Sequence, residues 1–165
     1  MPSNVLFNLN KDLDITKWMI VNDYVMGGIS TATFDINTSK NGLFKGEVSL
    51  ENNGGFASVR HRFETMDISS KGYSKVQLRI KGDGKAYQFR IKATVAQRFS
   101  YIGKFETSGA WQTISIPFST MYPAFRGKPL KQPNYSGKEL TEIAFLIGNK
   151  KQETFELEID SIDFL

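Results

Sequence analysis

Hydrophobic and polar residues alternate along much of this chain. Apolar side chains or glycine occupy every second position from Phe44 to Leu50, Val76 to Ile80, Tyr87 to Val95 and Phe155 to Ile159. Strict alternation of this kind is typical of a strand with one face in a core and the other in solvent. Turn signals separate the runs, and no helical periodicity extends beyond one turn near Phe118 to Tyr122. The chain is therefore predicted to be all-β, with about ten antiparallel strands and little or no helix.

The strand pattern favours a β-sandwich over a barrel, because several strands have one apolar and one polar face over a single core. A length of 165 residues is that of one domain, so residues 1–165 are predicted to form a single β-sandwich domain. Gly82 to Lys85 joins two alternating runs and is predicted to form the turn of a β-hairpin. Phe118 to Lys138 contains three prolines and two glycines, which predicts a long loop that is either functional or loosely ordered.

Composition and charge exclude several classes of protein. The absence of cysteine excludes disulfides, thiolate catalysis and cysteine-ligated zinc. The formal net charge of +4 is spread over the whole chain, so no nucleic-acid partner is predicted. The N-terminus lacks the basic start and apolar stretch of a signal peptide, and no segment has the roughly 20 apolar residues of a membrane span. We expect a soluble, cytoplasmic protein with no membrane span.

No group of residues has the spacing of a catalytic or metal site. His61 is the only histidine, so a serine nucleophile has one candidate base and a metal site lacks a second imidazole. Carboxylates such as Glu156 and Glu158 are scattered over turns and strand faces, and no pair is favoured as acid and base. Gly82 to Lys85 is too short for a phosphate-binding loop. The sequence therefore predicts no catalytic residues, no metal, no cofactor and no enzymatic activity.

Two segments, Val21 to Ser30 and Asn52 to Arg60, each contain a pair of adjacent glycines. Adjacent glycines allow the backbone a positive φ, or a close approach to another segment, at little steric cost. Strand-like sequence follows each pair. Both segments are therefore predicted to belong to the framework of a sandwich that binds a ligand or a partner.

Arginines occupy polar positions on three predicted strands, at Arg60, Arg79 and Arg90. If these strands are neighbours, the arginines line up on one sheet face. The planar guanidinium suits bidentate contacts with carboxylates or with a partner surface, whereas the alternative is a solvated face with cross-strand ion pairs. Three aromatic side chains fit either the core or a sugar-stacking platform. They are Tyr101, Phe105 and Trp111.

Short motifs follow one another in an order that resembles a known family. They are Trp18, Val21-Asn22-Asp23, Val25-Met26-Gly27-Gly28, Asn53-Gly54-Gly55-Phe56-Ala57-Ser58-Val59-Arg60, Gly82-Asp83-Gly84, Ile116-Pro117-Phe118 and Arg126-Gly127. In this order they resemble the complex I intermediate-associated protein 30 family. The resemblance implies a galactose-binding-domain-like jelly roll, similar to carbohydrate-binding modules. It also implies a chaperone-like scaffold, since mitochondrial members of the family assist the assembly of respiratory complex I.

The resemblance and the arginine positions together give two sets of candidate residues. The candidate binding surface comprises Asn22, Asp23, Met26, Asn53, Arg60, Arg79, Asp83, Arg90 and Arg126. The framework positions are Gly27, Gly28, Gly54, Gly55, Gly82 and Gly84. Structural alternatives remain open, because Asp23 is also suited to capping a turn and Arg60 to an ion pair with Asp23 or Asp83.

These observations lead to a non-enzymatic binding domain that holds a protein partner during assembly of a respiratory or related membrane-associated complex. A carbohydrate-binding module is the alternative, although the absence of a secretion signal argues against it. No transit extension precedes the family motifs. A bacterial form is therefore expected, and its partner need not be complex I.

Overall fold

The computed structural model describes residues 4–8, 18–23 and 27–165 of the chain. Within these residues there are thirteen β-strands: β1 (Asn4–Asn8), β2 (Trp18–Ile20), β3 (Thr31–Ile36), β4 (Gly42–Val48), β5 (Ala57–Asp67), β6 (Lys75–Lys81), β7 (Ala86–Lys92), β8 (Ser100–Glu106), β9 (Trp111–Pro117), β10 (Tyr122–Phe125), β11 (Lys128–Pro129), β12 (Glu139–Ile147) and β13 (Glu153–Phe164). Three short 3-10 turns, Glu51–Asn53, Ser69–Lys71 and Phe118–Thr120, lie between strands. The predicted all-β fold is confirmed.

The strands form two antiparallel sheets. One sheet has six strands in the order β3-β4-β13-β6-β9, with β1 pairing to the C-terminal part of β13. The other has seven strands in the order β11-β10-β8-β7-β12-β5-β2. Two long strands from the last third of the chain, β12 and β13, therefore lie in the middle of the two sheets.

The core lies between the two sheets and is filled by the apolar positions of the alternating runs. Phe44, Leu78 and Phe164 from the six-stranded sheet and Phe89 and Phe145 from the seven-stranded sheet are fully buried. Burying a side chain of this size stabilises the fold by about 1.5–3 kcal/mol. His61 belongs to the same interior, 7% exposed, with its ring 5.2 Å from that of Trp18. Within the described residues, no helix is both long and apolar enough to cross a bilayer.

The segment Gly82 to Lys85 crosses from one sheet to the other. It joins β6 to β7, but β6 pairs with β13 and β9, whereas β7 pairs with β8 and β12. The predicted β-hairpin is therefore wrong. The crossover passes close to the end of β8, because a Cβ at Gly82 would lie 2.2 Å from the Thr107 Cβ. Gly84 has a φ of +84°, in the left-handed region that favours glycine.

The predicted loop from Phe118 to Lys138 contains ordered strands. After the 3-10 turn, β10 pairs with β8 and then forms a two-residue hairpin with β11 through Arg126 and Gly127. Both turn residues have positive φ, 49° and 79°, as a type I′ turn requires. The buried ring of Tyr135 closes the segment against the core, 4.8 Å from the ring of Phe118.

Candidate functional site

The two double-glycine segments meet around one buried carboxylate, that of Asp23. Its Oδ1 accepts a hydrogen bond from the Ser30 N–H at 3.0 Å. Its Oδ2 accepts bonds from the Ser30 hydroxyl at 2.5 Å, the Gly55 N–H at 2.7 Å and the Phe56 N–H at 3.3 Å. Asp23 therefore ties the segment before β3 to the segment before β5. We call this arrangement the Asp23 loop cluster.

The glycines of the Asp23 loop cluster have two distinct tasks. Gly27 and Gly55 have φ values of +89° and +137°, which side chains rarely tolerate. Gly28 and Gly54 instead allow close approach: a Cβ would lie 2.4 Å from the Asp23 Cγ at Gly28 and 2.5 Å from the Asp23 Oδ2 at Gly54. Each pair therefore supplies one positive φ and one close contact with the carboxylate.

Hydrogen bonding dominates the electrostatics of Asp23. Burial acts to raise the pKa of its carboxyl, but the hydrogen bonds from Ser30, Gly55 and Phe56 outweigh it and hold the pKa below its ordinary value. The carboxylate is therefore charged at neutral pH. Asn22 is the neighbouring buried group: its amide donates to the Ser30 carbonyl at 3.1 Å and accepts from the Ser58 N–H at 3.4 Å.

The structure places these motif residues in the interior and not on a surface. Asn22 is 6% exposed and Asp23 is 0% exposed. Their polar atoms are used by loop segments, so neither is available to a partner in this conformation. Met26 lies outside the described residues, and so does the side chain of Asn53, the last residue of the turn Glu51–Asn53.

Asp83 fixes the crossover between the two sheets. Its carboxylate accepts hydrogen bonds from the Tyr87 hydroxyl at 2.8 Å and from the Glu156 N–H at 2.8 Å, and it pairs with the Lys85 ammonium at 3.2 Å. Burial, helped by the bond to Asp83, raises the pKa of Tyr87. The connection between β6 and β7 is thereby tied to β13. Among the described residues, Arg60 forms an ion pair with neither Asp23 nor Asp83, because its carboxylate neighbour is Glu142.

Two of the predicted binding arginines, Arg79 and Arg126, do not lie on the strands that carry Arg60 and Arg90. Arg79 is on β6 and projects from the six-stranded sheet, with its guanidinium 5.6 Å from the ring centre of Trp111. Arg126 is in the turn between β10 and β11, 5.3 Å from the ring centre of Phe125. The predicted alignment of Arg60, Arg79 and Arg90 on one face is therefore wrong for Arg79, because β6 belongs to the other sheet.

The outer side of the seven-stranded sheet brings Arg60 and Arg90 together. In the strand register both arginines are partners of Ala144 on β12, one from each side, and Arg90 is in turn the partner of Ile102 on β8. We call this surface the arginine face. Its residues are Ser58, Arg60, Arg62, Gln88, Arg90, Lys92, Ser100, Ile102, Lys104, Tyr122, Glu142, Ala144 and Leu146.

Glu142 is the carboxylate at the centre of the arginine face, and sequence reasoning missed it. Its side chain is only 7% exposed. The Arg62 Nε and Nη2 donate to its Oε1 at 3.1 and 2.9 Å, and the Arg60 Nη1 lies 3.8 Å from the same oxygen. The available signal was a single charged residue in the mostly apolar segment from Leu140 to Ile147. Two of the three arginines on this face therefore share one counter-charge, and Arg62 makes the closer contact.

Arg90 has a different environment on the same face. Its Nε and Nη2 both donate to the Gln88 Oε1, at 2.9 and 2.7 Å. Gln88 is neutral, and no described carboxylate forms an ion pair with Arg90. Burial lowers the pKa of the guanidinium, although arginine stays protonated under all ordinary conditions. Arg90 is thus a partly buried cation, held in orientation by an amide and without a counter-charge.

A cavity of about 150 Å³ opens on the arginine face. Arg60, Arg90, Lys92, Glu142 and the rim residues Val21 and Phe56 contribute to its lining. The rim residues belong to the Asp23 loop cluster or directly adjoin it. The Ser58 hydroxyl, on the floor of the cavity, donates to the carbonyl of Val21. The motif residues thus shape one edge of the cavity, even though Asn22 and Asp23 are buried.

The cavity is lined mainly by charged and polar side chains that can form hydrogen bonds with a ligand. Its lining offers guanidinium, ammonium and hydroxyl donors and one carboxylate, which the arginines already engage. Two other depressions, of about 280 and 190 Å³, each include a single charged side chain, Lys45 or Arg98. Among the described residues, no three acidic, histidine or cysteine side chains are arranged to hold a metal ion.

Comparisons with known proteins agree with this architecture. The family model described as complex I intermediate-associated protein 30 matches residues 7–159. The mitochondrial complex I intermediate-associated protein 30 of Mus musculus is 24% identical over 97% of this chain and 55% of its own length. The Drosophila melanogaster protein of the same name is 24% identical over 97% of this chain and 62% of its own length. The chain thus spans little more than half the length of these relatives.

Solved structures show the same fold in proteins of a different kind. The family 11 carbohydrate-binding module of a cellulosomal cellulase from Clostridium thermocellum superposes with a TM-score of 0.74 and 15% identity, over 100% of this chain and 95% of that module. A family 11 module from the same organism, in complex with a β-1,3-1,4-mixed-linked tetrasaccharide, superposes with a TM-score of 0.71 and 15% identity. The match covers 99% of this chain and 95% of that module. At this identity the likeness establishes the jelly-roll fold alone.

Proposed function

The chain belongs to the complex I intermediate-associated protein 30 family, and we propose on this basis that it is a non-enzymatic scaffold that holds a protein partner during assembly of a respiratory complex. The named relatives associate with an intermediate of complex I, as their name states. Because the chain covers 55% of the mouse relative, the activity of the longer protein is part of this proposal.

The arginine face is the observation that carries the proposed function. It combines a shallow cavity, uncovered cations and partly exposed apolar groups on a rigid sheet. Arginine and aromatic anchors surrounded by polar groups are typical of protein interfaces. Met19, 55% exposed, extends the surface at the β2 edge, where the Arg60 Nη2 lies 3.7 Å from its sulfur. A chaperone-like role and a cytoplasmic location both stay predictions.

The test is partner capture from the native host with a tagged full-length chain, followed by mass spectrometry. We expect subunits of an NADH dehydrogenase or of a related membrane-associated complex. The Lys104→Glu variant, which reverses an exposed charge on the arginine face, should lose these subunits. The Lys81→Glu variant makes the same change on the six-stranded sheet and should retain them. Equal capture by both variants would place the partner elsewhere, and no enriched respiratory subunit would contradict the proposal.

A carbohydrate-binding module is the second candidate, and the fold favours it. The family 11 modules match the whole chain in shape. Sugar recognition on a sheet uses aromatic platforms with adjacent hydrogen-bonding groups. Among the described residues, Tyr122 lies on the arginine face with the Lys104 ammonium 5.9 Å from its ring centre, and Phe56 lies at the rim of the cavity. Calorimetric titration with mixed-linked β-glucan oligosaccharides tests this candidate. Saturable heat that is lost in Tyr122→Ala would support it, and the absence of heat would remove it.

A further inference from the structure

The distribution of charge on the arginine face specifies the chemistry of its partner. Arg60 and Arg62 share the single carboxylate of Glu142, so one of their two positive charges is offset within the face. Lys92 and Lys104 lie on either side of Arg90 along the sheet, on β7 and β8. The net charge of the side chains around Arg90 is therefore positive.

Arg90 has hydrogen-bonding capacity that the chain does not use. A guanidinium carries five N–H groups in a fixed fork. Two of the nitrogens, Nε and Nη2, donate to Gln88. Gln88 thereby fixes the plane of the fork. The remaining N–H groups, including both on Nη1, donate to no described residue, and Arg90 contributes to the lining of the cavity.

A fixed, partly buried cation without a counter-charge has a strong preference among ligands. Removal of a guanidinium from water is offset best by an ionised oxygen acceptor, and a carboxylate matches the fork geometry. A neutral sugar hydroxyl supplies no charge. Among the described residues the face also lacks a row of aromatic rings for sugar stacking, since Tyr122 on β10 and Phe56 before β5 are separated by β8, β7 and β12.

We infer that the arginine face binds an acidic segment of a protein partner, with an aspartate or glutamate carboxylate of that segment seated against Arg90. Gln88 is a positioning residue that orients the guanidinium. Lys92 and Lys104 attract further acidic side chains from either side. This inference rests on the proposed function for the existence of a protein partner, but it specifies the chemistry of that partner independently of complex I.

The experiment is selection of twelve-residue peptides from a random display library on the folded full-length chain. The enriched peptides are then measured by fluorescence anisotropy. We expect enrichment of aspartate and glutamate. The best peptide should bind Arg90→Gln at least tenfold more weakly, because a charge-assisted hydrogen bond is lost. Arg79→Gln makes the same change of charge on the opposite sheet and should stay within twofold of the unmodified chain.

Two measurements keep the result independent of the stability of Arg90→Gln. Replacing each peptide glutamate by glutamine should abolish binding to the unmodified chain. Titration with the acidic peptide should shift the Arg90 Nε–H resonance in NMR spectra more than that of Arg79. Peptides without acidic enrichment, no enriched peptide at all, or an unmoved Arg90 resonance would overturn the inference. Partner capture through another surface would then still leave the proposed function standing.

Discussion

Replacing Asp23 with alanine is expected to lower the free energy of unfolding by about 4 kcal/mol. The two best hydrogen bonds to backbone N–H groups are those from Gly55 at 2.7 Å and from Ser30 at 3.0 Å. A hydrogen bond to a charged group contributes about 1.5–3 kcal/mol net, so these two give roughly the stated total. The 3.3 Å bond from Phe56 adds little, and the Ser30 hydroxyl retains the Ser49 carbonyl at 3.3 Å as acceptor.

The assay is urea unfolding followed by tryptophan fluorescence, since Trp18 lies in the core. The matched control is Asp35→Ala: Asp35 is exposed on β3, and its carboxylate has no hydrogen bond or ion pair with a described residue. The control should change the free energy of unfolding by less than about 0.5 kcal/mol. A loss below about 1 kcal/mol for Asp23→Ala would refute the idea that these bonds hold the loops together.

The charge of Asp23 gives the same prediction a pH dependence. Because the folded-state pKa is held below the ordinary value of 3.8, the carboxylate stabilises the fold fully above that value and progressively less as pH falls through the folded-state pKa. The difference in free energy of unfolding between the unmodified chain and Asp23→Asn should be constant from pH 7 to pH 5 and should decrease below about pH 4. A gap independent of pH would show that the carboxylate contributes by shape and not by charge.

Two further predictions concern the glycines and the arginine face. Gly54→Ala should lower the free energy of unfolding, measured in urea, by about 2–3 kcal/mol, because the new methyl would lie 2.5 Å from the Asp23 Oδ2. In Gly84→Ala the new methyl would have no atom within 4 Å, and the free energy of unfolding should fall by only about 1–2 kcal/mol because of the positive φ. Equal losses of stability in the two variants would contradict the steric explanation for Gly54. Glu142→Gln frees the two arginines that pair with it and should raise the affinity for an acidic peptide several-fold in anisotropy, whereas weaker binding would contradict an anion-binding face.

Local patterns predicted the strands well, because alternation reports directly which side chains lie in a core. The alternating runs near Val76 and Phe155 are β6 and β13, and the family resemblance from the glycine motifs is confirmed by the family model. The pairing of strands could not be predicted in the same way. Gly82 to Lys85 has the composition of a hairpin turn, but which sheet a strand joins depends on partners far along the chain. Arg79 was consequently assigned to the wrong face.

The candidate site was only partly predictable for a similar reason. The motif at Asn22 and Asp23 was recognised, yet nothing near Asp23 in sequence shows that Gly55 and Phe56, more than thirty residues away, donate to it. Glu142 lies in a central strand buried on both faces, which reads as a continuous apolar run. Only the register of β5, β12 and β7 reveals that Arg60 and Arg90 flank Ala144.

The position of β13 constrains how the protein is made. This strand pairs with β4 on one side and with β6 on the other, although both emerge from the ribosome some seventy or more residues before it. Until residue 164 is free, two strands present open hydrogen-bonding edges, which are templates for aggregation. The six-stranded sheet is therefore assembled late, and nascent chains depend on being shielded from one another until its central strand arrives.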